Sequence, residues 1–153
     1  MSIQKILMTF AFCLLIIIAF MMIRPESHLL VSCADSGAPL FVHPMQEGDV
    51  FEILYIHSVN QSPVTEFFII RRGQIYLTAM EFDGFGAGVP AEVGEGQELI
   101  RLPDGGMRLE GLDKWMDELV YLVSSHELHI AGDVIPLSEL AGEGVPLRFG
   151  FNA

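Results

Sequence analysis

The chain is poor in positive charge. It has 8 lysine and arginine residues against 20 aspartate and glutamate residues. All 20 acidic residues follow residue 24, but only six basic ones do, so this part has a formal charge of six minus twenty, or −14. A field of that sign repels phosphate backbones and anionic lipid surfaces. The charge balance therefore excludes nucleic acid as a partner.

Cysteine is also scarce, since only Cys13 and Cys33 are present. One lies inside an apolar N-terminal run and the other beyond it, so they cannot pair and the chain has no disulfide framework. The residues before Cys33 are similar to a lipoprotein cleavage box, but the polar segment 24–28 separates them from the apolar run. We favour a small strand residue at Cys33, within a hairpin formed by 29–34 and 40–44.

A long apolar run, Ile6 to Ile23, has Thr9 as its only polar side chain. At 1.5 Å per residue it spans about 27 Å, close to the hydrocarbon thickness of a bilayer. It is longer than the apolar region of a cleaved signal peptide, and no small-residue cleavage site follows it. We predict a transmembrane anchor over 1–24, inserted in the lipid bilayer through residues 6–23, with a cleaved signal as the alternative. Because Lys5 precedes the run, the domain 25–153 is expected outside the cytoplasm, at the cytoplasmic membrane.

After the anchor, short apolar segments alternate with turn residues, which is typical of antiparallel β structure. The fold class predicted is mainly β, a single antiparallel β-sandwich or partly open barrel preceded by one N-terminal transmembrane helix. Short helical turns are predicted at 114–117 and 136–141. The predicted strands are 28–34, 39–44, 50–59, 64–71, 74–82, 98–102, 106–110, 118–123, 127–131 and 145–151.

The stretch 51–68 predicts a central hairpin around the four-residue loop 60–63. In that register His57 lies opposite Glu66, and both faces of the hairpin are largely apolar, so both are expected to be covered. A histidine and a carboxylate in an apolar row need hydrogen-bond partners. The pair has four interpretations: a structural polar pair, a ligand or partner contact, a metal site, and acid–base catalysis.

The surrounding residues favour the structural pair. Ser58 follows His57 on the strand and so faces the opposite side, and no nucleophile signature is present. His126 and His129 are expected on opposite faces, so at most one could join the pair, which argues against a metal site. No cofactor motif is present. We expect no enzymatic activity, because the sequence carries no catalytic signature.

The glycine-rich segment 83–96 lacks the lysine and hydroxyl residue of a phosphate-binding loop. It is interpreted either as a surface loop or as a binding loop that contacts a partner through Phe85, Gly86 and Gly88. Trp115 is interpreted as a core residue, with a membrane-interface anchor as the alternative.

Residues 55–59, Pro63-Val64, Glu66, Gly86-Ala87-Gly88 and Pro90 carry a resemblance that spans about residues 28–151. The pattern resembles an uncharacterised bacterial family of small extracytoplasmic β-rich proteins associated with TAXI-type TRAP transporters, which import small organic solutes. The resemblance implies an accessory or binding domain that works with the transporter's membrane subunit or its solute-binding protein. It implies no catalytic residues. The alternative function is an extracytoplasmic, hydrolase-like enzyme that uses His57 and Glu66.

Overall fold

The computed structural model describes residues 8, 12–15, 26–59, 61–84 and 92–152. Within them the chain forms eleven strands and the short helix Leu137–Leu140, and residues 8 and 12–15 are also helical. The strands are β1 (His28–Cys33), β2 (Pro39–Pro44), β3 (Val50–Ile56), β4 (Pro63–Arg71), β5 (Gln74–Phe82), β6 (Glu98–Arg101), β7 (Met107–Trp115), β8 (Leu119–Leu122), β9 (Glu127–Ile130), β10 (Asp133–Pro136) and β11 (Pro146–Asn152).

These strands form two antiparallel sheets. The small sheet has the order β2-β1-β11-β8 and the large sheet the order β10-β9-β3-β4-β5-β7-β6. The small sheet therefore joins the first and last strands of the domain, while the large sheet is built mainly from consecutive hairpins. The prediction of a mainly β, antiparallel domain is confirmed, and the described strands form two separate open sheets.

The inner faces of the two sheets share one hydrophobic core. Phe51 of β3 stacks on Phe68 of β4 with ring centroids 5.0 Å apart, and on Phe149 of the small sheet at 6.4 Å. Burial alternates along the strands, because successive side chains of a strand point to opposite faces. The core therefore follows the two-residue period of the sequence.

The predicted register of the β3–β4 hairpin is wrong. Phe51 lies opposite Phe68, and Glu66 lies opposite Ile53 instead of His57. The His57 amide donates to the Ser62 carbonyl at 2.8 Å, so the turn is centred two residues earlier in the chain than the predicted loop 60–63. The error amounts to four positions along β3, an even number, so the predicted grouping of residues into two faces is retained.

The prediction that both faces of this hairpin are covered is also wrong. Phe51 and Ile53 on the inner face are 1% and 0% exposed, whereas Ile56 on the outer face is 40% exposed. The second sheet packs against one face only. The other face of the large sheet is therefore a surface of the domain.

The structure also locates Cys33, the two predicted helical turns and Trp115. Cys33 ends β1 in the expected hairpin, and the helical turn at 136–141 is confirmed as Leu137–Leu140. The helical turn at 114–117 is wrong, because Trp115 belongs to β7 and lies opposite Tyr76. The core placement of Trp115 is wrong as well, since 51% of it is exposed. Strand β10 was not predicted.

The predicted anchor, residues 1–24, lies mostly outside the described residues. Of this segment the structure describes residues 8 and 12–15, which are helical. No helix in the described part of the chain is long and apolar enough to cross a membrane.

Candidate functional site

Four polar or aromatic side chains meet between the two sheets, and we call them the inter-sheet cluster: Tyr55, Glu66, Tyr121 and His126. Tyr55 and Glu66 come from the inner faces of β3 and β4. Since Tyr55 lies opposite Val64, Glu66 is its diagonal neighbour on the same face, within reach of a long side chain. Tyr121 comes from β8 of the small sheet, and His126 directly precedes β9.

Glu66 accepts a hydrogen bond from the Tyr121 hydroxyl at Oε2. The Tyr55 hydroxyl interacts with the same carboxyl group. Burial raises the pKa of Glu66 above its ordinary value, and the tyrosine hydrogen bonds and the charge of Lys114 offset part of this effect. Glu66 therefore holds a proton more readily than a carboxyl group in water.

The two tyrosines are held in their neutral form. Burial raises the pKa of both Tyr55 and Tyr121, and the negative charge of Glu66 raises each further. Their hydroxyl groups therefore remain hydrogen-bond donors. The Tyr121 ring also packs edge-on against Phe149 at a centroid distance of 5.8 Å, so its position is fixed by the core as well as by Glu66.

His126 closes the cluster on the side of β9. It is only 9% exposed, and its ring stacks on Tyr55 at 5.0 Å and lies 5.3 Å from the Tyr121 ring. Its Nδ1 accepts a hydrogen bond from the Ser124 amide at 3.3 Å, which places the ring proton of the neutral imidazole on Nε2. Burial lowers the pKa of His126, so the neutral form is favoured.

The geometry suits the cluster to joining the sheets. Tyr121 belongs to the small sheet and Glu66 to the large one, so their hydrogen bond crosses the core. In the described part of the chain, every buried side-chain nitrogen or oxygen has a hydrogen-bond partner.

His57 and Glu66, the two predicted site residues within the described part of the chain, do not lie opposite each other. His57 lies beyond the end of β3, where its Nδ1 accepts a hydrogen bond from the Val59 amide at 3.2 Å. Phe85, Gly86 and Gly88 lie outside the described residues. The described residues contain no group of three or more histidine, cysteine, aspartate or glutamate side chains that could hold a metal ion.

The two histidines near β9, His126 and His129, have different surroundings. His126 is buried in the inter-sheet cluster, whereas His129 lies on the outer face of the large sheet and contacts Glu127 at 3.1 Å. The expectation that they point to opposite sides is confirmed. The histidine whose ring packs on the two tyrosines of the cluster is His126.

Sequence reasoning missed two members of the cluster, Tyr55 and Tyr121. Tyr121 gave a usable signal, because it is the only polar side chain in the apolar run 119–123 and a buried tyrosine hydroxyl needs a partner. The predicted register already made Tyr55 a diagonal neighbour of Glu66 on the same face, so Tyr55 could also have been identified. His126 was one of two histidines that could join the pair, and the choice between them required knowing which face of β9 is buried.

A separate open cleft of about 670 Å³ lies at the other end of β3. It is formed by the β2–β3 connection and the β9–β10 hairpin. Asp49, Glu52 and Asp133 line it together with His43 and His129, and none of its described lining residues is lysine or arginine. The cleft is therefore suited to a positively charged group.

Comparison with known proteins identifies a family for this chain. No curated protein and no solved structure is significantly similar to the chain. Residues 51–137, more than half of the chain, match the family described as a domain of unknown function, DUF1850. The matched region includes all four residues of the inter-sheet cluster, from Tyr55 to His126. The chain therefore belongs to the DUF1850 family.

Proposed function

We propose that the protein is a membrane-anchored, extracytoplasmic accessory domain that binds a component of a TAXI-type TRAP solute transporter. The observation that carries the proposal is the hydrogen bond between Tyr121 and Glu66. It uses the one candidate catalytic carboxyl group to hold the two sheets together. What the domain offers to solvent is then an acidic surface with exposed apolar side chains, which suits binding better than chemistry.

The proposed location rests on the N-terminal sequence. The apolar run 6–23 is long enough to span a bilayer, and Lys5 precedes it. Strand β1 begins at His28, only a few residues after the run, so an anchored domain stays close to the membrane. The transporter class rests on the resemblance of the segments around His57, Glu66 and Gly86.

The alternative is an extracytoplasmic enzyme that uses His57 and Glu66. This mechanism needs the two side chains next to each other, and the observed register instead places Glu66 opposite Ile53. Glu66 also bonds to a phenol from the opposite sheet, and a neutral phenol is a poor nucleophile. The geometry therefore favours the accessory domain.

Co-purification tests the proposal directly. The tagged full-length chain is extracted from membranes in mild detergent, and the transporter's membrane subunit and solute-binding protein are quantified by mass spectrometry. We expect one of them to be strongly enriched over a control in which residues 1–25 are fused to an unrelated domain. Deleting the chain should also lower solute uptake. No enrichment after crosslinking, together with unchanged uptake, would refute the accessory role.

The location has its own test. Protease added to spheroplasts should remove the domain and leave a protected N-terminal fragment. A soluble mature chain that lacks residues 1–24 would contradict the anchor, and protection of the domain from protease would contradict its placement outside the cytoplasm.

A further inference from the structure

The exposed face of the large sheet carries a continuous apolar row across four adjacent strands, and we call it the outer row: Val50, Ile69, Tyr76 and Trp115. Each residue lies directly opposite the next one, from β3 through β4 and β5 to β7. Val50 is 62% exposed and Trp115 is 51% exposed. With strands about 4.8 Å apart, the row crosses roughly 14 Å of surface.

The outer row is not part of the core, because the alternation of each strand turns its neighbours inward. Phe51, Ile70 and Ile75 adjoin the row along their strands and are all buried. The row thus adds large apolar side chains to a surface that the second sheet does not cover. A contiguous group of apolar side chains on a solvent-exposed face is typical of an interaction surface.

At the other end of the same face, an aromatic ring is covered by an ion-pair network. Phe67 is covered by Arg108, whose guanidinium lies 4.2 Å from the ring centroid and is held by Glu81 and Glu110 at 2.7 Å. This ion-pair network shields the ring from water. In the outer row Arg71 approaches one ring only, 5.5 Å from the centroid of Tyr76. Val50 and Trp115 at the two ends remain more than half exposed.

Charges around the row limit what can cover it. Asp49 precedes Val50 and Glu52 follows it on the same face, whereas Asp113, two residues before Trp115, is already paired with Arg71. Asp49 and Glu52 also line the acidic cleft beside Val50. Since residues after 24 carry a formal charge of six minus twenty, −14, a second copy of the chain, an anionic lipid surface or a nucleic acid would be repelled.

We propose that the outer row is a docking face for a protein surface with an apolar centre and a basic rim, one of whose lysine or arginine side chains enters the acidic cleft beside Val50. This deepens the proposed function and rests on it, because the partner is then a component of the transporter. Tyrosine and tryptophan are the residues most enriched at the centres of protein interfaces. The carboxylates around them supply attraction that weakens as salt rises.

Trp115 provides a direct probe, because it is the only tryptophan of the chain. Biosynthetic 5-fluorotryptophan gives the full-length chain a single fluorine resonance, even when the partner contains its own tryptophans. The purified chain in detergent is titrated with the purified membrane subunit and with the purified solute-binding protein. We expect one of the two to shift the resonance, with an affinity that falls as salt is added.

Surface variants separate this face from the rest of the domain. Tyr76→Ser and Trp115→Ser should each weaken binding by about tenfold or more. Val120→Ser and Leu122→Ser are matched controls on the outer face of the small sheet, where these residues are 39% and 62% exposed, and should leave affinity unchanged. If a serine variant fails to fold, Val50→Lys gives the same test. Position 50 is exposed, and the added positive charge would repel the basic rim of the partner.

The outcomes distinguish the two proposals. Weakened binding in the outer-row variants alone supports the docking face. If a transporter component binds the wild type and the outer-row variants equally well, the docking face is overturned and the accessory role remains supported. The absence of binding by either component overturns both. A fluorine shift of the same size with phosphatidylcholine vesicles would identify the row as a lipid contact and overturn the docking face.

Discussion

Replacing Tyr121 by phenylalanine removes one oxygen atom from the inter-sheet cluster and keeps the ring. The contacts of the ring with Phe149 at 5.8 Å and His126 at 5.3 Å are retained, so no large cavity forms. What is lost is the hydroxyl that donates to Glu66. A buried acceptor left without its donor costs about 1–3 kcal/mol. Since Tyr55 interacts with the same carboxyl group, we expect the lower part of that range, about 1–2 kcal/mol.

The assay is equilibrium unfolding of the full-length chain in detergent with urea, followed by circular dichroism and by the fluorescence of Trp115. Tyr76→Phe is the matched control, because Tyr76 lies on the outer face and its variant should stay within about 0.5 kcal/mol of the wild type. Glu66→Leu completes a double-mutant cycle. With donor and acceptor both replaced by apolar groups, the double variant should lose less stability than the sum of the single losses.

Two results would refute this reasoning. One is a Tyr121→Phe variant as stable as the wild type, which would mean that the hydroxyl contributes nothing to the folded state. The other is a double variant whose loss equals the sum of the single losses, which would mean that Tyr121 and Glu66 are energetically independent.

Three further predictions concern pH and backbone strain. Burial raises the pKa of Glu66, so the contribution of Glu66 to the free energy of unfolding is fully present below its ordinary pKa of 4.5 and is lost as pH rises through the folded value. Urea unfolding across pH should therefore show a decrease in the free energy of unfolding that the Glu66→Gln variant lacks. A wild type and a Glu66→Gln variant with parallel pH profiles would contradict it. Burial lowers the pKa of His126, so its contribution to the free energy of unfolding is present above its ordinary pKa of 6.5 and is lost as pH falls through the folded value. The His126→Gln variant should not show this loss of stability at low pH. If it does, the loss belongs to another group. Gly111 has φ 76°, and an added Cβ would lie 2.4 Å from the Gly96 carbonyl oxygen, so Gly111→Ala should cost about 2–4 kcal/mol in thermal or urea unfolding, whereas Gly142→Ala, in open space, should be nearly neutral. Equal stabilities of the two alanine variants would argue against the close approach at Gly111.

The sequence predicted the strands well because burial in this domain follows their period of two. It also predicted which residues of β3 and β4 share a face, since the error in register was an even number of residues, but it did not predict which of the two faces is buried. The register itself depended on where the turn is centred. Turn-forming residues at 60–63 predicted the loop there, whereas the hydrogen bond from the His57 amide to the Ser62 carbonyl centres the turn two residues earlier in the chain. Composition indicates that a turn is present but does not set its position to within two residues.

Trp115 shows a second limit of sequence reasoning. A lone tryptophan after an alternating strand is reasonably expected in the core, but the pairing of β5 with β7 is irregular between Leu77 and Ala79. Gly111 and Asp113 have φ values of 76° and 42° on the opposite strand. Across this irregularity both strands change which residues face outward, and Trp115 turns to the surface. Such irregularities arise from the partner strand, which a local pattern cannot include.

The two faces of β3 and β4 perform separate tasks, and this makes the proposals separable by experiment. The inner face of these strands presents Tyr55 and Glu66 to the small sheet, while the outer face presents Val50 and Ile69 to solvent. Apolar contacts alone tolerate sideways movement of one sheet over another, whereas the directional bond from Tyr121 to Glu66 specifies one position. A change in the inter-sheet cluster should therefore lower the free energy of unfolding without weakening the partner's affinity for the folded domain. A change in the outer row should do the reverse. If Tyr121→Phe weakened binding as much as a change in the outer row, the two faces would be coupled and the docking face could not be assigned to the outer row alone.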